Sequence, residues 1–201
     1  MMRLRLSALA ASLLFGAALQ AQQSPVPATL SALSAATRDT LERLVDSVRA
    51  AGLPTEPLVA KAAEGALKRV PEDRIIWAVR ALARRQADAR AVLPANVRPG
   101  TLAAAVSALQ AGVSQQTLRR LASVKGTDET SLAMAYIAVA DLVATRVNAE
   151  AAAAAIEELL RRGASEQLMT GFRLGVTEDI RAGLAPDAAL SSQRKAFARY
   201  P

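Results

Sequence analysis

Four pairs of adjacent carboxylates are the first candidates for acid–base chemistry in this sequence. They are Glu72–Asp73, Asp128–Glu129, Glu157–Glu158 and Glu178–Asp179. Catalytic carboxylates face each other across a cleft, whereas adjacent residues on a helix point in different directions. Three of the pairs fall in predicted first helical turns, where a carboxylate stabilises the positive end of the helix dipole. We therefore interpret the pairs as helix-capping residues.

Other residue types that commonly do chemistry are absent or lack their companions. The chain has no His and no Cys, which removes the commonest general base, the thiol nucleophile and the usual zinc ligands. Ser192 and Lys195 match a Ser-x-x-Lys motif, but they lie near the C-terminus without the downstream motifs of penicillin-binding enzymes. The sequence predicts no catalytic residue, no metal and no cofactor, and we expect no enzymatic activity.

The N-terminus has the layout of a secretory signal peptide. A basic start, "MMRLR", precedes an uncharged apolar run of 14 residues from Leu6 to Leu19, and Ala21 offers a small residue for cleavage. The run is shorter than the roughly 20 residues that span a bilayer, although a retained anchor is the alternative. We predict residues 1–21 as a cleaved signal peptide, and a periplasmic or extracellular mature chain that starts near Gln22 and has no transmembrane segment.

Arginine dominates the charge of the chain. The formal net charge is +7, and removal of residues 1–21 leaves 23 basic against 18 acidic residues. Candidate contacts for an anionic surface are the densest basic cluster and the C-terminal tail: Arg80, Arg84, Arg85, Arg90, Arg194, Lys195 and Arg199. Anionic lipid or a cell-wall polymer would suit them, and a solvated helical face is the plainer interpretation. We expect no nucleic-acid partner for an exported protein.

The same pattern of residues at helix starts recurs along the remaining chain. Small polar caps, acidic first turns and closing glycines recur between apolar stripes at helical spacing. The predicted caps are Thr37, Ser114, Thr127, Asn148, Ser165 and Thr177, and the predicted closing glycines are Gly52, Gly112, Gly126 and Gly163. Because aromatic residues are only 3% of the chain and no strand pattern occurs, the sequence predicts an all-α fold of nine or ten short antiparallel helices.

Two architectures fit such a chain of helices. One is an α-solenoid-like array with weak, irregular repeat character, which the recurring helix start favours. The other is a globular helical bundle. We assign residues 22–36 to a linker or short helix, residues 37–193 to a helical-repeat-like domain, and residues 194–201 to a basic C-terminal tail.

One segment resembles a known group of proteins. Residues 51–85, "AGLPTEPLVAKAAEGALKRVPEDRIIWAVRALARR", are similar to a segment of uncharacterised exported bacterial all-helical proteins. The resemblance covers about a sixth of the chain. It implies a helical fold and export, and no activity.

Two residues of the expected core invite a specific prediction. The stretch 131–144 is the most apolar of the mature chain and contains Asp141, so we expect this carboxylate to meet a cation such as Arg146 or Arg120. Trp77, the only Trp, stands beside Ile75 and is expected in the core. An exposed Trp77 would instead mark a contact surface.

Three hypotheses for the function remain. The first is a non-catalytic periplasmic or secreted scaffold that holds a protein partner on a helical surface. The second is an envelope-associated protein that binds anionic lipid or polymer through its arginines. The third is an enzyme that works with carboxylates and Arg alone, which would require a deep pocket.

Overall fold

The computed structural model describes residues 28–198, and within that range the protein is helical and contains no strand. A short 3-10 helix spans Ala28–Ala32. Nine α-helices follow: α1 (Ala35–Ala50), α2 (Glu56–Leu67), α3 (Glu72–Val92), α4 (Pro99–Gln110), α5 (Gln115–Ala122), α6 (Glu129–Ala144), α7 (Ala149–Arg161), α8 (Glu166–Arg181) and α9 (Pro186–Phe197). The predicted all-α fold class is therefore confirmed.

Local capping explains most of the helix boundaries. The side chains of Ser114, Asn148 and Ser165 accept hydrogen bonds from backbone N–H groups of the first turn, as predicted. The four predicted closing glycines all adopt positive φ: Gly52, Gly112, Gly126 and Gly163. Two predicted caps are displaced along the chain, because Ser34 caps the helix assigned to Thr37 and Asp128 caps the helix assigned to Thr127.

The predicted helix start at Thr177 is wrong. Residues 166–181 form one continuous helix, α8, which includes Gly171 and Gly175. The Thr177 hydroxyl donates to the carbonyl of Arg173 one turn earlier instead of capping a helix. The buried stripe of Met169, Phe172 and Val176 runs through the proposed break, so burial of a single apolar face holds the segment in one helix.

The helices pack as an array of two layers. One layer contains α1, α3, α5, α7 and α9, each in contact with the next member of the series. The other layer contains α4, α6 and α8, with α2 joined to α3 across the layers. Helix α6 touches α4, α5, α7 and α8, and seven of its 16 residues are buried. The most apolar stretch of the mature sequence, residues 131–144, therefore lies at the centre of the core.

The same type of hydrogen bond joins three pairs of helices: α1 with α3, α4 with α6, and α5 with α7. Buried threonines in the first turns of α1, α4 and α5 each donate to a glutamate at the start of α3, α6 and α7 respectively. The pairs are Thr37–Glu72 (2.5 Å), Thr101–Glu129 (2.8 Å) and Thr117–Glu150 (2.8 Å). We call this contact the Thr–Glu bridge. It brings the N-termini of paired helices together, which fixes their parallel alignment.

The ends of the helical region differ from the predicted boundaries. Leu30 and Leu33 are buried in the core, so the fold begins before the boundary predicted at residue 37. At the other end α9 continues to Phe197, and the predicted tail therefore begins inside a helix. The predicted signal peptide, residues 1–21, lies outside the described residues.

Candidate functional site on the outer face of α3

Trp77 lies on the solvent face of α3, not in the core as predicted. It is 71% exposed, whereas Ile75 and Val79 are buried. Each residue turns a helix by about 100°, so a side chain two positions from both Ile75 and Val79 points away from the face that they bury. Residues two positions apart in sequence are thus on opposite sides of the helix. The exposure of Trp77 makes α3 the place to look for a contact surface.

The arginines around Trp77 lack acidic partners. Within residues 28–198, the side chains of Arg74, Arg80, Arg84 and Arg85 make no hydrogen bond or ion pair. Some arginines elsewhere are paired, such as Arg98 with Glu129 on α6 and Arg120 with glutamates on α7. We define the α3 surface as Trp77 with these four arginines. It combines an exposed aromatic ring with guanidinium groups that are available to a ligand.

Two open grooves adjoin the α3 surface and share Trp77 as a lining residue. The larger, roughly 610 Å³, runs between α2 and α3 and is lined by Lys61, Lys68 and Arg74 among others. The smaller, roughly 420 Å³, lies along α3 beside Arg80 and Arg84. Trp77 therefore forms a ridge between two concave, basic regions.

A close approach of two helices forms the floor of the larger groove. A Cβ atom placed on Gly65 of α2 would lie 2.7 Å from Cγ1 of Ile75 on α3, so only glycine allows this spacing. On the rim, Glu64 accepts hydrogen bonds from Lys61 and Lys68. These hydrogen bonds lower the pKa of Glu64 to about 2, and the carboxylate stays ionised at neutral pH.

The basic residues predicted to contact an anionic surface fall into separate groups in the structure. Arg80, Arg84 and Arg85 line the smaller groove together. Arg90 instead donates to the carbonyls of Leu93 and Pro94, where it satisfies the end of α3. We therefore assign Arg90 a structural role and exclude it from the α3 surface.

The C-terminal members of the predicted set form a separate basic region. Arg194 and Lys195 are exposed on α9, and α5 and α7 lie between α3 and α9 in their layer. They line a groove of roughly 490 Å³ with Glu158 and Arg162, which already form an ion pair with each other. Arg199 lies outside the described residues.

The acidic pairs do not converge on a cleft. Glu72 bonds to Ser34 and Thr37, and Glu129 bonds to Arg98 and Thr101, so both hold neighbouring helices together. Glu158 pairs with Arg161 and Arg162 on its own helix. In the part of the chain that the structure describes, no group of three or more potential ligand residues is placed to hold a metal ion.

The sequence contains one signal for the α3 surface. Arg74, Trp77, Arg80 and Arg84 are spaced by three, three and four residues, and residues with that spacing share one face of a helix. The α2 side of the larger groove carries no such signal, because Lys61 and Lys68 reach Trp77 only through the packing of α2 on α3.

Comparison with known proteins gives no relative. No protein-family model, no curated protein and no solved structure matches the chain. None of the helices within residues 28–198 is long and apolar enough to cross a membrane.

Proposed function

We propose that this protein is an exported, non-catalytic binding module that holds a protein partner on the α3 surface. The observation that carries the proposal is the 71% exposure of Trp77 between arginines that lack partners among the described residues. Trp and Arg are the residue types most enriched at the energetic centres of protein interfaces. A two-layered helical array supports them on a rigid helix, which lowers the entropy cost of binding.

Affinity capture from a periplasmic or secreted extract of the host tests this proposal. We expect the tagged wild-type protein to retain a partner that the Trp77→Ala variant loses. Leu67→Ala is the matched control, because Leu67 is 69% exposed on α2 but lines neither groove at Trp77. A partner that binds all three proteins equally would contradict the proposal.

Export itself is a separate part of the proposal. Cleavage after Ala21 would leave an N-terminus near Gln22. Mass spectrometry of the protein made in its own host measures that terminus directly, and a mature chain that retains Met1 would contradict cleavage.

A second candidate function is attachment to an anionic envelope component, either lipid or polymer. It is favoured by the distribution of unpaired basic residues over both α3 and α9. Binding of this kind weakens steeply as salt shortens the Debye length from about 8 Å at physiological ionic strength to about 3 Å at 1 M. Co-sedimentation with anionic and neutral phospholipid vesicles, at low and high salt, distinguishes this function from capture of a protein.

A further inference from the structure

We infer that the segment of the partner that occupies the α3 surface is an extended acidic peptide with an apolar side chain packed against Trp77. The inference rests on the proposed function and specifies the chemistry of the partner. It is carried by three properties of the surface, namely its charge, its concave shape and the spacing of its arginines.

The positive charge of the α3 surface favours a partner that carries carboxylates. The residues that line the two grooves include six cations and two carboxylates. One of those carboxylates, Glu64, is already shared by Lys61 and Lys68. The four arginine side chains of the α3 surface form no ion pair with Asp73 or with any other described carboxylate, so none of them has a bound counter-charge. Asp and Glu side chains of a partner would supply it, since a guanidinium accommodates a carboxylate through two parallel hydrogen bonds.

The shape of the surface favours a peptide over a membrane. Grooves of roughly 610 and 420 Å³ lie on either side of the Trp77 ridge, and side chains of a peptide can enter both. A bilayer is met by a helix with a wide apolar face. Here Trp77 is the only large apolar side chain exposed on the outer face of α3 within the described residues. A single aromatic ring surrounded by basic residues is suited to contact one apolar side chain of a peptide.

The spacing of the arginines matches an extended chain. Arg80 and Arg84 are four residues apart on α3, which separates them by about 6 Å along the helix axis. Alternate residues of an extended peptide point the same way and lie about 6.6 Å apart. Two acidic residues at alternate positions would therefore meet Arg80 and Arg84 together. We expect them on one side of the apolar residue that contacts Trp77.

Selection from a random library of displayed peptides tests this inference. Peptides are selected on the wild-type protein and counter-selected on Trp77→Ala. We expect the enriched sequences to contain an apolar residue with acidic residues at alternate positions beside it. Enriched sequences without an acidic bias, or no enrichment over the Trp77→Ala protein, would overturn the inference.

Intrinsic fluorescence then reports binding at the surface itself, because Trp77 is the only Trp of the chain. Titration with an enriched peptide should shift its emission to shorter wavelength and protect it from acrylamide. We expect Arg80→Glu/Arg84→Glu to weaken binding about tenfold or more. The matched control is Arg119→Glu/Arg181→Glu, which changes the net charge equally at exposed arginines on α5 and α8 and should leave the affinity unchanged. Equal weakening by both double variants would show general electrostatic attraction and overturn the assigned site.

The outcomes separate this inference from the proposed function. A host partner whose capture requires Trp77, together with selected peptides that show no acidic bias, would leave the proposed function standing and overturn the acidic peptide. Failure of both experiments would overturn both. Vesicles of anionic phospholipid form a third arm: a blue shift of Trp77 with vesicles, and none with any selected peptide, would assign the surface to a membrane instead.

Discussion

At the scale of single residues, the exposure of Trp77 separates its part in binding from any part in stability. We expect Trp77→Ala to change the free energy of unfolding by less than about 0.5 kcal/mol, as at other exposed sites. Phe172→Ala is the contrasting variant, because Phe172 is only 1% exposed and its loss should cost roughly 3 to 5 kcal/mol. Urea unfolding followed by circular dichroism measures both. A Trp77→Ala protein as unstable as Phe172→Ala would place the indole in the core.

Asp141 also has a different environment from the one expected. Its partner is Arg173 on α8, and neither Arg146 nor Arg120. The side chain of Asp141 is 45% exposed and that of Arg173 is 25% exposed, so solvent screens the pair. We therefore expect a coupling energy of about 1 kcal/mol or less between Asp141→Asn and Arg173→Gln. A double-mutant cycle measures it, and a value near the roughly 3 to 5 kcal/mol of a disrupted buried pair would contradict this assignment.

At the scale of helices, the Thr–Glu bridge makes the alignment of α1 and α3 dependent on pH. Hydrogen bonds from Ser34 and Thr37 lower the pKa of Glu72 to about 2. A carboxylate whose pKa is depressed on folding stabilises the protein above its unfolded pKa, and this stabilisation is lost as the pH falls through the folded value. For Glu72 that interval runs from about pH 4.5 down to about pH 2.

We therefore expect Glu72→Gln to unfold at lower urea concentration than wild type at pH 7. The difference between the two midpoints should shrink as the pH falls through that interval, because wild-type Glu72 becomes protonated. Glu42→Gln is the control, since Glu42 is exposed on α1 and its side chain makes no hydrogen bond with the described residues. A difference that is constant from pH 7 to pH 3 would show that ionised Glu72 does not hold α1 and α3 together.

Two glycines inside helices should respond in opposite ways to substitution by alanine. Alanine is favoured over glycine within a helix by roughly 1 kcal/mol. At Gly171 the added Cβ would lie 3.8 Å from the Phe197 ring, an ordinary contact, so Gly171→Ala should stabilise. At Gly65 it would lie 2.7 Å from buried Ile75, and overpacking should cost about 1 to 3 kcal/mol. Thermal unfolding of both variants measures the two signs, and stabilisation by Gly65→Ala would contradict the close approach of α2 and α3.

At the scale of the whole molecule, the sequence predicts what depends on neighbours along the chain. Caps such as Ser114 and Asn148 satisfy N–H groups two or three residues away, so local composition reveals them. The Thr–Glu bridges join residues 28 to 35 positions apart, and no local pattern specifies which helices meet. The expectation that Trp77 lies in the core is wrong, because residues two positions apart on a helix, such as Ile75 and Trp77, point to opposite sides. The larger groove at Trp77 arises only when α2 packs on α3.

The layered arrangement predicts an uneven distribution of local stability. In an array whose helices contact mainly their neighbours, the terminal helices lack a partner on one side and open more readily. Helix α6 contacts four other helices, whereas α9 contacts α8 and α7. We therefore expect native-state hydrogen exchange to be slowest for amides of α6 and faster for α1 and α9. Buried Tyr136 of α6 adds to this protection, because its hydroxyl donates to the carbonyl of Leu118 on α5. Mass spectrometry of exchanged peptides resolves the helices, and uniform protection from α1 to α9 would instead indicate one cooperative bundle.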